Sequence, residues 1–494
     1  MSQASVGRWE RFEAAVRNPT IYKNPYTDVT LDVVYTRPDG STVSFWGFYD
    51  GDEQANDIWR FRFMPDQTGE WRYRATFSDG AEGSEGAFTC IESELPGPLG
   101  ADTSNPMWFG FRNGQHVLIR SFHVGDGFFA SNTPAERRTS FLDWAQSQGY
   151  NMLSIASHYL NRAEPGRGQG WDTPRLWPLN ASEYRRMEEI LDDLARRKIV
   201  VFPFAGFFGR ASNFPVDPEE QEQYLRYTLA RLAPYWNITF NVSGPEPLLT
   251  KKPIPHMERE HVCRLGARIQ ELDIFGHALT VHNDTGDDDF IDEPWLTFGT
   301  LQGPKTTDLP TLSEGAVRNH HPARPLYIQE TLWSGNKYHP NYSDEQLRKN
   351  AYVLLMAGGA INFIDNGGPI PDAVGDSSSG FSGSMELADR RQGRHDILKN
   401  VWDTFAQFPF HQMRPAQERV SRGYCLADPG NAYLVYVDSQ GLLDVEVEPG
   451  SYAVEWVNAQ DSHDCQTGGI TTTGKELATP ARGDDWLLYL KRNP

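Results

Sequence analysis

Two glutamates offer the clearest chemistry in this sequence. Glu246 ends the run Asn241-Val242-Ser243-Gly244-Pro245-Glu246, and Glu330 ends Tyr327-Ile328-Gln329-Glu330. Each follows a short β-forming stretch. Two carboxylates flanking one bond suit glycoside hydrolysis: one protonates the leaving oxygen, and the other attacks the anomeric carbon or activates water. Either glutamate alone reads as a solvated loop acid, and it is the pair that points to catalysis. Other strand ends add groups expected to hold a sugar. They are His123 and Asp126, then His158, Asn241, His282 with Asn283, Gln302 and Asp365. Trp171 and Trp177, on a loop rich in glycine and proline, and Trp333 beyond Glu330 offer ring faces on which sugar C–H groups stack. Each has a plainer reading: a satisfied core histidine, a turn aspartate before glycine, a tryptophan that pins its loop.

These groups need a frame that brings distant stretches to one rim. From about Trp108 the chain alternates between strand and helix, the signature of a parallel α/β fold. Eight strands are predicted: His116–Phe122, Asn151–Ser157, Ile199–Ala205, Ile238–Val242, His277–His282, Trp295–Leu301, Pro325–Gln329 and Ala360–Ile364. Their nearly continuous apolar character suits strands covered on both faces. Asp217-Pro218-Glu219-Glu220 predicts a capped helix start, and Ser343 with Gln346 predicts a capping box. Eight such units predict a (β/α)8 TIM barrel, whose active site lies at the C-terminal ends of its strands. A doubly wound sheet would show a glycine-rich phosphate loop after its first strand, and none is present.

The flanking regions read as all-β. Val29–Tyr35, Thr42–Phe48, Trp59–Met64 and Glu70–Phe77 are separated by turn sequences, the last two around Pro65-Asp66-Gln67-Thr68-Gly69. Ala432–Val437, Leu443–Val447, Tyr452–Asn458 and Trp486–Lys491 form a second set. The predicted organisation is an N-terminal β-sandwich over 1–95, a catalytic barrel over 96–414 with a linker at Leu95–Gly100, and a C-terminal β-sandwich over 415–494.

The totals restrict the partners. A chain of 494 residues exceeds one ordinary core. A net charge of −20 argues against nucleic acid, anionic membranes and acidic polymers. No apolar run approaches a membrane span. Met1–Phe12 is polar and reads as folded sequence, so a cytoplasmic protein is expected, or a secreted one if the N-terminus was trimmed. No cysteine spacing resembles a zinc site. Asp287-Asp288-Asp289 lacks the spaced ligands of a calcium loop and reads as a solvated acidic face. No metal and no cofactor are therefore expected. Cys425 and Cys465 lie close enough in sequence to pair, but two buried thiols are the expectation. Homo-oligomerisation is left open.

The barrel resembles the apiosidase-like glycoside hydrolases, within the clan of retaining (β/α)8 enzymes. Gly125-Asp126 resembles that family's Gly-Asp-Thr signature, with Gly127 in place of threonine. Gly244-Pro245-Glu246 resembles its strand-four Gly-Glu element with one residue inserted, and Gln329-Glu330 its strand-seven acid. Asn24-Pro25-Tyr26, Gly47-Phe48-Tyr49-Asp50-Gly51 and Trp59–Asp66 are similar to a β-sandwich module that often precedes such barrels. Proline stands before Glu246 where the wider clan carries asparagine. The resemblance implies a retaining glycosidase with Glu246 as acid/base and Glu330 as nucleophile, and exo action on a plant or microbial glycoside or oligosaccharide is the expectation. Two other readings are a non-catalytic carbohydrate-binding barrel, disfavoured by the intact glutamate pair, and a polysaccharide lyase, disfavoured by the acidic strand ends.

Overall fold

The computed structural model describes residues 4–51, 57–125, 127–155, 172–204, 206–208, 214–244, 246–248, 257–282, 290–334, 343–365, 385 and 392–493. All eight predicted parallel strands are present, most of them shorter than their apolar runs. In chain order they are Arg120–Val124, Met152–Ile155, Val200–Pro203, Phe240–Asn241, Leu279–Thr280, Gly299–Leu301, Leu326–Ser334 and Gly359–Asp365; we number them one to eight. Six form one curled parallel sheet in the order three-two-one-eight-seven-six, and four and five form a two-stranded parallel sheet. A single bridge, Val201 with Ile238, joins strand three to the approach of strand four. On the other side Thr297 N donates to Leu279 O at 2.9 Å, and the Thr280 hydroxyl donates to Phe298 O at 2.8 Å.

Inside the curl, Met152, Val200, Phe202, Phe204, Phe298, Tyr327 and Ala360 form their own apolar cluster with Leu99 and Phe109. The last two belong to a hairpin, Leu99–Ala101 paired with Phe109–Phe111. The first of these strands overlaps the stretch 95–100 that the sequence predicts as a linker. Its prolines and glycines do set turns, but Leu99 and Phe109 have an apolar interior to enter, and that entry orders the segment.

The helices pack outside the sheet. Pro218–Leu232 begins as predicted, with the Asp217 carboxylate accepting from Glu219 N and Glu220 N. Asp344–Met356 is capped by Ser343, which accepts from Gln346 N at 3.1 Å. The reciprocal half of the capping box is not formed. The Gln346 amide donates instead to Thr307 O, outside the helix, and to Asn350 Oδ1 one turn on within it.

The N-terminal region folds into a five-stranded and a three-stranded sheet. In Leu31–Thr36, Leu31, Val33 and Tyr35 are buried at every second position, as one covered face requires. Ile58–Phe63 and Gly69–Phe77 are not partners, although a turn sequence joins them. The first pairs with Phe12–Arg17 and Phe48–Tyr49, and the second with Leu31–Thr36 and Ser84–Ile91. Five residues between strands permit either a hairpin or a crossing to the facing sheet, and the local sequence does not decide between them. The C-terminal region has a six-stranded antiparallel sheet and a two-stranded one. Four of its strands, Arg414–Pro415, Tyr424–Asp428, Asp461–Thr471 and Leu477–Ala478, are absent from the sequence reading; the third is a polar, mostly exposed edge. Cys425 is buried and Cys465 exposed, and neither forms a disulfide, which corrects the expectation of two buried thiols.

Charged groups knit the N-terminal sheets to the helices. Arg62 reaches Glu188 at 2.9 Å and Glu13 at 2.6 Å, and Arg231 reaches Glu188 at 2.7 Å and Asp50 at 2.7 Å. Glu188, Arg231, Arg62 and Asp50 are all buried. Burial pushes the Glu188 carboxyl up, but Arg62 and Arg231 pull it down further, to about 2.

Candidate active site

The two glutamates reach the same end of the parallel sheet by different local devices. Strand four stops at Asn241, and its continuation lies against His282. A Cβ on Gly244 would fall 2.7 Å from His282 Cβ, so only glycine allows this approach. Glu246 then takes φ 54°, a left-handed conformation uncommon for a side-chain-bearing residue, and its N–H donates to His282 O at 2.8 Å. Its half-buried carboxylate accepts from Gln302 Nε2 at 2.9 Å.

Glu330 does not follow its strand, as the sequence reading had it, but lies within it. Strand seven runs on to Ser334, and its register against strand eight shifts between Ile328 and Leu332. The Glu330 side chain is buried. Its Oε1 lies 3.7 Å from His282 Nε2 and its Oε2 lies 3.9 Å from Lys305 Nζ. The two acids therefore share neighbours. His282 binds Glu246 through its carbonyl and faces Glu330 with its ring, while Gln302 and Lys305, three residues apart on the loop after strand six, touch one glutamate each. Lys305 was not among the residues singled out from the sequence. Its place on the loop carrying Gln302 was the available signal.

The remaining predicted residues divide into two groups. His282 and Gln302 stand at the glutamates. Beneath them, buried His123 meets Ser154 Oγ through Nδ1 at 2.9 Å, and Gln329 Nε2 donates to that hydroxyl at 3.0 Å. Asn241 is fully engaged with protein: its amide donates to Pro203 O and Phe204 O, and its oxygen accepts from His282 N at 3.1 Å. Asp365 is buried and 3.0 Å from His395 Nε2, whose other nitrogen meets the Tyr150 hydroxyl at 2.7 Å. Trp333 is buried. Trp177 stands edge-on to Tyr224 of the helix Pro218–Leu232, with ring centroids 5.9 Å apart. Asp126, His158, Trp171 and Asn283 lie outside the described residues, as do Asp287, Asp288 and Asp289. Burial drives the Tyr327 phenol well above its ordinary range, against the opposing pull of Ser121 and Ser154, so it acts as a neutral hydroxyl below the glutamates.

Among the described residues, no group of three or more metal-ligating side chains converges. No helix among them is long and apolar enough to cross a membrane.

Residues 122–361 match the model of the apiosidase-like catalytic domain, and residues 5–78 match a domain of unknown function, DUF5060. No curated protein matches the chain. Among solved structures, a provisionally assigned glycoside hydrolase from Bacteroides vulgatus is similar over 99% of this chain and 100% of its own, with a TM-score of 0.73 at 17% identity. A glycoside hydrolase family 5 protein from the same organism covers 81% of this chain and 95% of its own, with a TM-score of 0.59 at 16% identity. Another glycoside hydrolase covers 81% of this chain and 99% of its own, with a TM-score of 0.60 at 14% identity. At such identities the structures speak for the fold, and the family model for the chemistry. The chain carries an apiosidase-like, carbohydrate-active domain of the glycoside hydrolase clan, flanked by β-sheet regions, and is a glycosidase.

Proposed function

We propose that this protein is a retaining, exo-acting glycoside hydrolase on a closed (β/α)8 barrel, with a β-sandwich over 1–95, the barrel over 96–414 and a second sandwich over 415–494. The Val201–Ile238 bridge and the bonds from Thr297 and Thr280 span the two gaps between the parallel sheets, which supports closure. The observation that carries the catalytic reading is the meeting of Glu246 and Glu330 around His282, with Gln302 on one and Lys305 beside the other.

In this reading Glu330 is the nucleophile. Its carboxylate attacks the anomeric carbon while Glu246 gives its proton to the departing glycosidic oxygen. The C–O bond to the leaving group breaks and an ester bond from the sugar to Glu330 forms. Glu246, now a carboxylate, takes a proton from water, and the hydroxide equivalent displaces Glu330 from the anomeric carbon. The Lys305 ammonium and the His282 ring face the Glu330 carboxylate. The amide of Gln302 holds Glu246 in place. Asn241 orients the His282 backbone, and Asp126, His158, Asn283, Trp171, Trp177, Trp333 and Asp365 remain candidates for sugar contact or its support. The long stretches Leu160–Ala181 and Asn366–Met385, after strands two and eight, are the reason to expect a pocket and hence exo action.

The experiment is a panel of 4-nitrophenyl glycosides, followed by proton NMR of the first-formed sugar. A retained anomer is expected, together with labelling of Glu330 by the matching 2-fluoro glycoside. An inverted first product would remove the nucleophile role from Glu330. Random mid-chain cleavage of an oligosaccharide would remove exo action.

A further inference from the structure

Strand seven contains a departure from regular pairing that bears directly on Glu330. Ile328 stands opposite Ile361, and Leu332 opposite Phe363. Three residues, Gln329, Glu330 and Thr331, thus face the single residue Asn362, two more than a regular ladder allows. Side chains of a regular strand alternate between faces. Tyr327 points into the curl, its hydroxyl 2.7 Å from Ser121 Oγ, and Ile328 packs in the outer core. Gln329 points inward again, donating to Ser154. Strict alternation would send Glu330 outward among the helices. Instead it faces His282 and Lys305 at the mouth, and Leu332 resumes outward packing. The bulge is what turns two successive side chains to the same side, a known use of such irregularities.

A bulge leaves backbone groups without their ladder partners, and in a buried strand these must be satisfied. Here the side chain of Asn362 does so. Its Nδ2 donates to Gln329 O at 2.8 Å and to Gln329 Oε1 at 3.2 Å. Its Oδ1 accepts from Ser121 Oγ at 2.8 Å, which fixes the amide from strand one. Asn362 is itself fully buried, and its backbone stays in register with Ser121. The side chain thus substitutes for the lost ladder bond immediately before Glu330.

We propose that Asn362 is a positioning residue for Glu330: its amide holds the two-residue bulge of strand seven in the shape that aims the carboxylate at the site. The inference rests on the proposed role of Glu330 in so far as it predicts rates. Where the carboxylate points is a separate question that can be read on its own. The chemistry sets a discriminating requirement. The residue must donate to Gln329 O, so leucine, of similar size and without a donor, fails, and serine is too short to reach.

The test compares Asn362→Leu, Asn362→Ser and Ser121→Ala with wild type, on the 4-nitrophenyl glycoside the wild type cleaves fastest. Misplacing a reacting group by about 1 Å costs roughly 100-fold in rate. We expect Asn362→Leu and Asn362→Ser to lose on the order of 100-fold in kcat with little change in KM. Ser121→Ala removes the bond that fixes the amide but keeps the donor to Gln329, and should lose less in kcat than either Asn362 variant. The crystal structure of Asn362→Leu, or of Asn362→Ser if the leucine variant does not fold, should show the Glu330 carboxylate displaced from His282 and Lys305. Wild-type kcat in both Asn362 variants, or an undisplaced carboxylate, would overturn the inference. If the wild type is instead not labelled at Glu330 by the 2-fluoro glycoside, the nucleophile reading fails, and the crystallographic position of the carboxylate still decides the role of Asn362.

Discussion

At the residue scale the site is an arrangement of two carboxylates in unequal surroundings. Glu330 is buried between an imidazole and an ammonium group, whereas Glu246 is half-exposed and held by a neutral amide. This asymmetry is what different roles require: pairs of acids divide their work when their environments differ. Under the proposed roles, Glu246→Ala should slow glycosides with poor leaving groups most, by roughly 100- to 10,000-fold, the usual contribution of general acid catalysis. Activated aryl glycosides should lose less, and azide should restore their turnover by attacking the glycosyl–enzyme in place of activated water. Steady-state rates with and without azide check this. Equal loss on every leaving group with no rescue would assign the proton transfer to another residue.

At the element scale, the strand ends are shaped by a few residues whose side chains are absent or tied down. Gly244 lets the end of strand four lie against His282, and that contact places both the Glu246 backbone and the histidine ring. Gly244→Ala puts a methyl group 2.7 Å from His282 Cβ. Overpacking of this kind costs about 1–3 kcal/mol. We expect a matching fall in stability by urea unfolding. Activity should fall further than that loss explains, because the displaced histidine moves against Glu330. A variant that is destabilised but fully active would show that the rim tolerates the shift. The helices contribute differently. Asp217 and Ser343 cap them as their sequences predict, but the Gln346 amide binds Thr307 and Asn350 rather than closing its own box. Packing neighbours redirected a local preference.

At the scale of the whole molecule, the N-terminal sheets are joined to the parallel-sheet region through buried charge. Glu188 lies between Arg62 from the N-terminal sheets and Arg231 from the helix Pro218–Leu232, with Asp50 and Glu13 at the margins. Replacing both partners of such a pair by apolar groups is often tolerated, whereas removing one strands the other. Glu188→Ala leaves two buried guanidinium groups without their shared carboxylate, and should cost about 3–5 kcal/mol in urea unfolding. The same group sets a pH dependence. Its folded-state pKa lies near 2, below its ordinary value of 4.5. The stability it contributes is therefore fully present above about 4.5, and is lost as pH falls from there toward 2. Unfolding midpoints measured across that window should fall steeply for the wild type and less steeply for Glu188→Ala. Parallel curves would place the acid sensitivity elsewhere.

The sequence alone determined the eight parallel strands and the main antiparallel ones, because burial on both faces writes continuous apolar runs for parallel strands and one-sided burial writes alternation. It determined the helix caps, since Asp217-Pro218 and Ser343 act on backbone groups within one turn. It also pointed to Glu246 and Glu330 on two separate parallel strands, the first beyond its strand's end and the second, as the structure has it, within its strand. Only the tertiary structure decided what depends on partners far along the chain. Whether Ile58–Phe63 and Gly69–Phe77 pair or face each other depends on which strands lie beside them. That Leu99 and Phe109 order a supposed linker depends on an apolar interior built from other segments. The approach of Lys305 to Glu330, and the bulge through which Asn362 turns Glu330 inward, exist because strands six, seven and eight are neighbours. A period-two pattern read along one strand has no term for the residue across from it, and here that residue sets the direction of the carboxylate.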